Sequence, residues 1–328
     1  MADSSAVNPS ELAIKGCRVI AGARLHFGLL DTETPFGGAG VMIETPVTIF
    51  RARVEEHYGA SRIIGPHQPR IAAILQRCLE VAPHVPQRAL TLEVLASPEP
   101  HTGLGSGTQL SLAAAEAIRR CWRLSIHATE LAAEIAARGK RSAVGIHGFF
   151  HGGMIMDQPA GDEELNQLAA RVELPEEWEV VLLTPQKAPD AISGDREVRL
   201  FEQLPRPIQS EREALRIILA EELFPSARAK DFARFSAALH QYNRGSGQFY
   251  ASVQGGPFYS ASAQHLVDRL KAGGIEGVGQ SSWGPTIFVF CKSAAMTRSA
   301  IEIAGPAWRV LAISKIRNHG YRVEEETT

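Results

Sequence analysis

The reading of this chain turns on Ser97-Pro98-Glu99-Pro100-His101-Thr102-Gly103-Leu104-Gly105-Ser106-Gly107-Thr108-Gln109, which runs directly into Leu110-Ser111-Leu112-Ala113-Ala114-Ala115-Glu116-Ala117-Ile118. The second part is alanine-rich and strongly favours helix. Three alternating glycines before it let the backbone bend and approach a ligand closely, and the first N–H groups of the helix lack internal partners. With the helix dipole added, Gly103 to Gln109 form a ready site for phosphate, and Ser106 and Thr108 bring hydroxyls to it. The plainer alternative is that the glycines turn the chain and Thr108 caps the helix. Other phosphate loops fit worse. No lysine follows Gly107 as a Walker loop requires, the spacing is G-x-G-x-G rather than the dinucleotide G-x-G-x-x-G, and no G-x-S-x-G elbow is present.

Upstream of the loop, Ile14 to Leu30 and Val41 to Val54 read as strands, Ile71 to Val81 as a helix, and Ala89 to Ala96 as an alternating strand. Downstream, a helix over about Ala128 to Arg138 precedes a glycine-containing loop, Gly139 to Gly148, and a return strand in His151 to Asp157. The polar, proline-bearing stretch Gly161 to Glu179 marks a domain boundary. Beyond it come a short buried strand at Val180 to Leu183 and helical patterns at about Ser210–Leu223, Ala229–Tyr250 and Ser260–Gly273. A strand, a tight glycine loop and a second strand follow in Gly274 to Phe290. The expectation is an α+β fold in both halves: a disordered tail over 1–12, an N-terminal domain over 13–172 carrying the loop, and a C-terminal α/β sandwich domain over 173–328.

Bulk properties agree with two ordinary cores. The chain has 328 residues, of which 45% are hydrophobic and 21% charged. A net charge of −2 gives no reason to expect nucleic acid or an anionic membrane as partner. Cys17, Cys78, Cys121 and Cys291 are widely spaced and read as thiols of a reducing compartment. The first ten residues carry neither a basic start nor an apolar stretch, and no apolar run reaches bilayer length, so a cytoplasmic protein is expected.

Pro100-x-x-Gly103-Leu104-Gly105-Ser106 resembles the phosphate motif of the GHMP kinase superfamily, and Gly277-x-Gly279-x-Ser281-Ser282-x-Gly284 resembles its late glycine-rich motif. Within that superfamily, three blocks together resemble the β-ribofuranosylaminobenzene 5′-phosphate synthases: Arg24-Leu25-His26-Phe27-Gly28-Leu29-Leu30-Asp31, Gly103 to Gln109, and Ser281-Ser282-Trp283-Gly284-Pro285-Thr286. The resemblance implies a GHMP-type two-domain fold. It also implies an enzyme that joins phosphoribosyl pyrophosphate to 4-aminobenzoate or a close analogue, with loss of pyrophosphate and carbon dioxide, on the path to tetrahydromethanopterin. Two departures argue against a kinase. Gly107-Thr108-Gln109 replaces the usual Ser-Ala-Ala, and the position seven before Gly152-Gly153, where many kinases carry an aspartate, is Gly145. An ATP-dependent kinase of the same fold and a non-catalytic phosphosugar-binding protein stand as alternatives, and ATP is not expected to be required.

The implied chemistry needs stabilisation of a departing pyrophosphate, a cationic sugar and an aromatic carboxylate. Mg²⁺ is the expected cofactor, and Asp31 the candidate carboxylate for the metal or for the sugar cation, unless it merely ends a strand. Arg24 and His26 alternate with Leu25 and Phe27, so they share the strand face opposite the core and suit an anionic substrate. Lys140, Arg141 and Ser142 form a second basic cluster, and Arg196 is a weaker candidate. His147 and His151 would lie roughly 13 Å apart on a strand, too far for one ion, and His147 is the better substrate-site candidate of the two. Ser281 and Ser282 are expected to donate to substrate and Trp283 to stack on the aromatic ring. Small-molecule substrates are the expected partners, with a homodimer kept as an open expectation.

Overall fold

The computed structural model describes residues 14–32, 36–83, 88–160, 165–187 and 199–326. Two sheets organise them. The first has seven strands: β1 (Gly16–Leu29), β2 (Gly38–Tyr58), β3 (Arg62–Ile64), β4 (Arg88–Ala96), β5 (Met154–Gln158), β6 (Gln167–Val172) and, returning from the end of the chain, β11 (Arg322–Glu326). Their order is β11-β1-β2-β4-β3, with β5 pairing the start of β2 and β6 pairing β5. Only the β3–β4 pair is parallel. The second sheet has the order β10-β7-β9-β8, formed by β7 (Glu179–Pro185), β8 (Val278–Gln280), β9 (Ile287–Cys291) and β10 (Trp308–Lys315). The expected α+β class is the observed one.

The loop helix, Ser106–Cys121, packs on β1 and β2 and is buried on nearly every side. Its small residues explain the close fit: Ala113, Ala114, Ala115 and Ala117 are fully buried with Leu112 and Ile118, in a core that also holds Phe50, Leu92 and Ile74. On β1 the period of two puts Leu25 and Phe27 into a second core, where Phe27 meets Phe288 at 5.5 Å and Phe290 at 6.1 Å between ring centroids. That core takes residues from both sheets, including Val180 and Leu182 of β7. A third core lies under the other face of the second sheet, around Val181, Leu183, Leu266 and Val289.

The end of β1 is held by the helix Phe232–Gln248. Asn243 Nδ2 donates to Phe27 O at 2.6 Å, the Tyr242 hydroxyl to Gly28 O at 2.8 Å, and the Ser246 hydroxyl to Leu29 O at 2.8 Å. Asn243 Nδ2 also reaches Gln280 O at 2.8 Å, so one buried amide clamps β1 to β8. These bonds satisfy carbonyls that would otherwise be stranded away from water.

One local expectation is corrected. Val144–His151, read as loop leading into strand, is a helix, so His147 and His151 stand one turn apart with rings stacked at 6.4 Å. The segment has no helix-favouring composition, and its packing against β2, β1 and the loop helix decides its form. Three of the four thiols are buried, Cys121 is half-buried, and all four are free. Among the described residues, no helix is long and apolar enough to cross a membrane.

Candidate functional site

The glycine loop, the end of β1 and the turn between β8 and β9 converge. Arg24 N donates to Leu104 O at 3.0 Å, and Ser282 N to His26 O at 3.1 Å. Ser281 completes the clasp, its hydroxyl donating to Gly103 O at 2.7 Å and accepting from His26 N at 3.0 Å. A methyl group on Gly103 would stand 2.3 Å from Ser281 O, so the glycine is what lets these segments touch. Gly105 lies at φ +70°, immediately before the helix, where only glycine is unstrained.

Around this junction lies a cavity of about 630 Å³, a size ordinary for small-ligand sites, which shares part of its lining with a smaller one of about 200 Å³ beside the loop. Part of the lining is basic. Arg24, Arg70, His101, Thr108 and Arg138 line both spaces. Arg138 Nη2 donates to Gly107 O at 3.2 Å, and Arg24 Nη1 to Gly103 O at 3.4 Å, so guanidinium groups hold the loop's carbonyls, while Thr108 N and Gln109 N both donate to Gly105 O and leave the N–H groups of Gly105, Ser106 and Gly107 for a ligand. Burial, with the charges of Arg70 and Arg77, lowers the Arg138 pKa to about 10, and burial lowers that of Arg70. Both stay charged at neutral pH. Among the described lining residues there is no Asp or Glu to offset them. Such unrelieved repulsion is relieved by a polyanion.

Another part is aromatic. Trp283 packs against Tyr250 at 4.6 Å and Phe201 at 6.2 Å between centroids, and the Arg141 guanidinium sits 4.4 Å over the Phe201 ring. Lys140, Arg141, Ser142 and Ser282 also line the cavity. Burial, and secondarily the charge of Arg24, keep the His26 imidazole well below its usual pKa, so it is neutral at physiological pH.

Of the residues expected from sequence, Arg24, His26, Thr108, Lys140, Arg141, Ser282 and Trp283 meet at the large cavity, and Gly103, Leu104, Gly105, Ser106 and Gly107 line the small one. Others do different work. Gln109 is fully buried and its amide donates to Gly145 O at 2.8 Å, tying the loop helix to the helix Val144–His151. Ser281 is fully buried in the clasp. His147 bonds the Asn166 carbonyl at 2.8 Å and does not line the cavity. Asp31 is also absent from the described lining: one oxygen lies 2.8 Å from Arg212 Nη1 and the other accepts from Thr32 N at 2.8 Å. Arg196 lies outside the described residues.

A Mg²⁺ held by protein carboxylates does not fit this lining, which offers none among its described residues; nor do those residues contain any cluster of three acidic, His or Cys side chains able to hold a metal. Sequence reading missed Arg70, Arg138, Phe201 and Tyr250. Arg70 stands in the first turn of its helix, where a cation is unfavourable to the helix dipole, and that was the one available signal.

Residues 70–161 match the GHMP kinases N terminal domain. Two relatives named beta-ribofuranosylphenol 5′-phosphate synthase align nearly end to end. The protein from Archaeoglobus fulgidus is 28% identical over 92% of this chain and 97% of its own. That from Methanothermobacter thermautotrophicus is 26% identical over 91% and 95%. The chain is thus similar to these synthases over nine-tenths of its length. Solved structures agree on the fold. Homoserine kinase from Cytophaga hutchinsonii superposes with a TM-score of 0.66 at 14% identity, covering 97% of this chain and 99% of its own. Mevalonate diphosphate decarboxylase from Staphylococcus aureus gives 0.67 at 14%, covering 95% and 98%. The chain thus shares its fold with a kinase, yet its position expected to hold a kinase acid is Gly145. A Cβ there would meet Thr108 at 3.4 Å and Arg24 at 3.6 Å, so it faces the phosphate-loop end of the site without a carboxylate.

Proposed function

We propose that this enzyme transfers the phosphoribosyl group of phosphoribosyl pyrophosphate to the ring of a para-substituted benzoate, releasing pyrophosphate and carbon dioxide. The observation that carries this reading is one cavity lined both by arginines, without described acids, and by an aromatic group. The polyanionic donor suits the arginines and the ring the aromatic group, with Arg141 beside Phe201 for the carboxylate. The relatives' name specifies a phenol product, which favours 4-hydroxybenzoate, and the amine analogue is the close alternative. The product would serve a methanopterin-type carrier.

In this reaction the anomeric C–O bond breaks with its electrons leaving on pyrophosphate, while the ring carbon bearing the carboxylate bonds the anomeric carbon. The ring–carboxylate bond then breaks, its electrons restore aromaticity, and carbon dioxide departs. Arg24, Arg70, Arg138 and the loop N–H groups supply the preorganised charge for the leaving group. Mg²⁺, if used, would belong with the substrate's phosphates rather than with a protein carboxylate.

The deciding experiment incubates the purified protein with phosphoribosyl pyrophosphate, Mg²⁺ and either benzoate, and follows pyrophosphate and carbon dioxide together. Equimolar release is expected, with the acceptor preference naming the product. Pyrophosphate without carbon dioxide would mean hydrolysis, and release of neither would favour a phosphosugar-binding protein.

A further inference from the structure

At the end of the loop helix away from the glycine loop, two thiols from distant parts of the chain lie side by side. Cys17 is the second residue of β1, and Cys121 the last residue of the helix Ser106–Cys121. Their sulfurs stand 3.9 Å apart although 104 positions separate them in sequence. Cys17 is fully buried, and its Sγ also lies 3.7 Å from Ala117 O. Cys121 is half-buried, with its Sγ 3.7 Å from the carbonyl of Ala52, the residue that pairs with Cys17 between β1 and β2. Among the described residues this is the one contact between two thiols.

We propose that Cys17 and Cys121 form an oxidation site, closing to an intramolecular disulfide that staples the start of β1 to the end of the loop helix. A disulfide bond is about 2 Å long, so each sulfur has about 1 Å to travel. Cys17 is held between β2 and β11, so the helix end is the partner that yields. Its ladder stops there, and Arg123, at φ +53°, turns the chain away two residues later.

The co-reactant is a peroxide, small enough to reach the half-buried Cys121. The Cys121 sulfur takes one oxygen as the O–O bond breaks, giving a sulfenic acid and one water. The Cys17 sulfur then attacks that sulfur. The S–S bond forms, the S–O bond breaks, and its oxygen leaves as a second water. The two thiols together lose two protons and two electrons, and the peroxide takes them all. Exposure sets the order: the buried Cys17 is the resolving thiol. The bond with Cys17, and then burial, push the Cys121 thiol up, so the first step is slow and the pair stays reduced until oxidant is sustained.

The staple closes a loop containing β2, β3, β4 and the whole loop helix, which removes freedom from the unfolded chain. The glycine loop lies at the other end of that helix, about 22 Å away, so the cavity is left as it is. This inference does not depend on the phosphoribosyl-transfer reading.

The test exposes the full folded chain to hydrogen peroxide for hours, then unfolds it in guanidinium with N-ethylmaleimide, digests it and reads the peptides by mass spectrometry. Wild type should yield Cys17 and Cys121 in one cross-linked pair, lighter than the two reduced peptides by two hydrogens, with Cys78 and Cys291 still alkylated. The melting temperature should rise by roughly 2–8 °C and return with dithiothreitol. Cys17→Ser should abolish the pair and leave Cys121 as a sulfenic acid that dimedone captures, whereas Cys78→Ser should keep the pair. Folded wild type whose Cys17 and Cys121 both remain alkylated, after an exposure that couples thiols in the unfolded chain, overturns the proposal. Pairing that reaches Cys78 or Cys291 equally also overturns it, and a fall in melting temperature on closure would overturn the stapling role.

Discussion

Oδ2 of Asp31 lies 2.8 Å from Nη1 of Arg212, binding the end of the Arg24–Asp31 block to the helix Gln209–Ile217 rather than to the cavity. Both side chains are mostly shielded, so the pair holds the C-terminal half against β1 more firmly than a solvated pair would. Asp31→Asn and Arg212→Met should therefore each destabilise the fold by about 1 kcal/mol, non-additively in the double variant. Turnover at saturating Mg²⁺ should fall less than about tenfold in either. Thermal melts and steady-state kinetics check this. A loss of about a hundredfold or more confined to Asp31→Asn, with an altered Mg²⁺ requirement, would restore Asp31 to the metal or sugar cation.

The glycines of the loop should separate by what surrounds them. A Cβ on Gly107 would meet the far ends of Arg70, at 2.8 Å for Nη1, and Arg138, at 3.4 Å for Nη2, and the residue lies in the helix without a positive φ. Gly107→Ala should leave the melting temperature nearly unchanged while weakening donor binding by roughly tenfold, the scale of one displaced charged contact. Gly105→Val puts a β-branched residue at φ +70° and crowds Arg24, so it should abolish donor binding and destabilise by about 1–3 kcal/mol. Titration calorimetry showing wild-type affinity in both would refute the phosphate cradle.

ATP should not be turned over. At Gly145 the site presents a backbone carbonyl already bonded by Gln109, and no group there can orient or deprotonate an acceptor hydroxyl. ADP release by homogeneous protein should stay at background with homoserine, mevalonate or galactose present. Steady substrate-dependent release would favour the kinase alternative.

The buried histidine predicts a direction of pH dependence. His26 has a lowered pKa when folded and an ordinary value of 6.5 when unfolded, so below about 6.5 the unfolded chain takes up a proton that the folded one refuses. Its contribution to stability is complete above that value and is lost progressively as the pH falls toward the lowered one. Asp157, raised by burial, acts with the opposite sign and must be held constant. Melting temperatures of wild type and His26→Gln at about pH 7.5 and about pH 5 isolate the term, and the drop between the two should be smaller in the variant. An equal drop in both would mean that His26 is protonated in the fold.

What the sequence determined by itself is local. Alternating glycines ahead of an alanine-rich run specify a bend and a helix start wherever they occur, and a strand's period of two sends Arg24 and His26 to one face and Leu25 and Phe27 to the other. Both readings survive because backbone sterics enforce them within a few residues. Tertiary structure decided what those faces meet. Arg70 and Arg138 reach the loop from distant elements, Asp157 reaches Ala143 N by pairing β5 with β2, and Phe201 and Tyr250 meet Trp283 only when the chain closes. The same contacts turned Gln109 and Ser281 inward, drew Asp31 to Arg212 and coiled Val144–His151 into a helix against its propensity. No short-range pattern encodes such outcomes, because their energy comes from surfaces that are buried together only after the fold has formed.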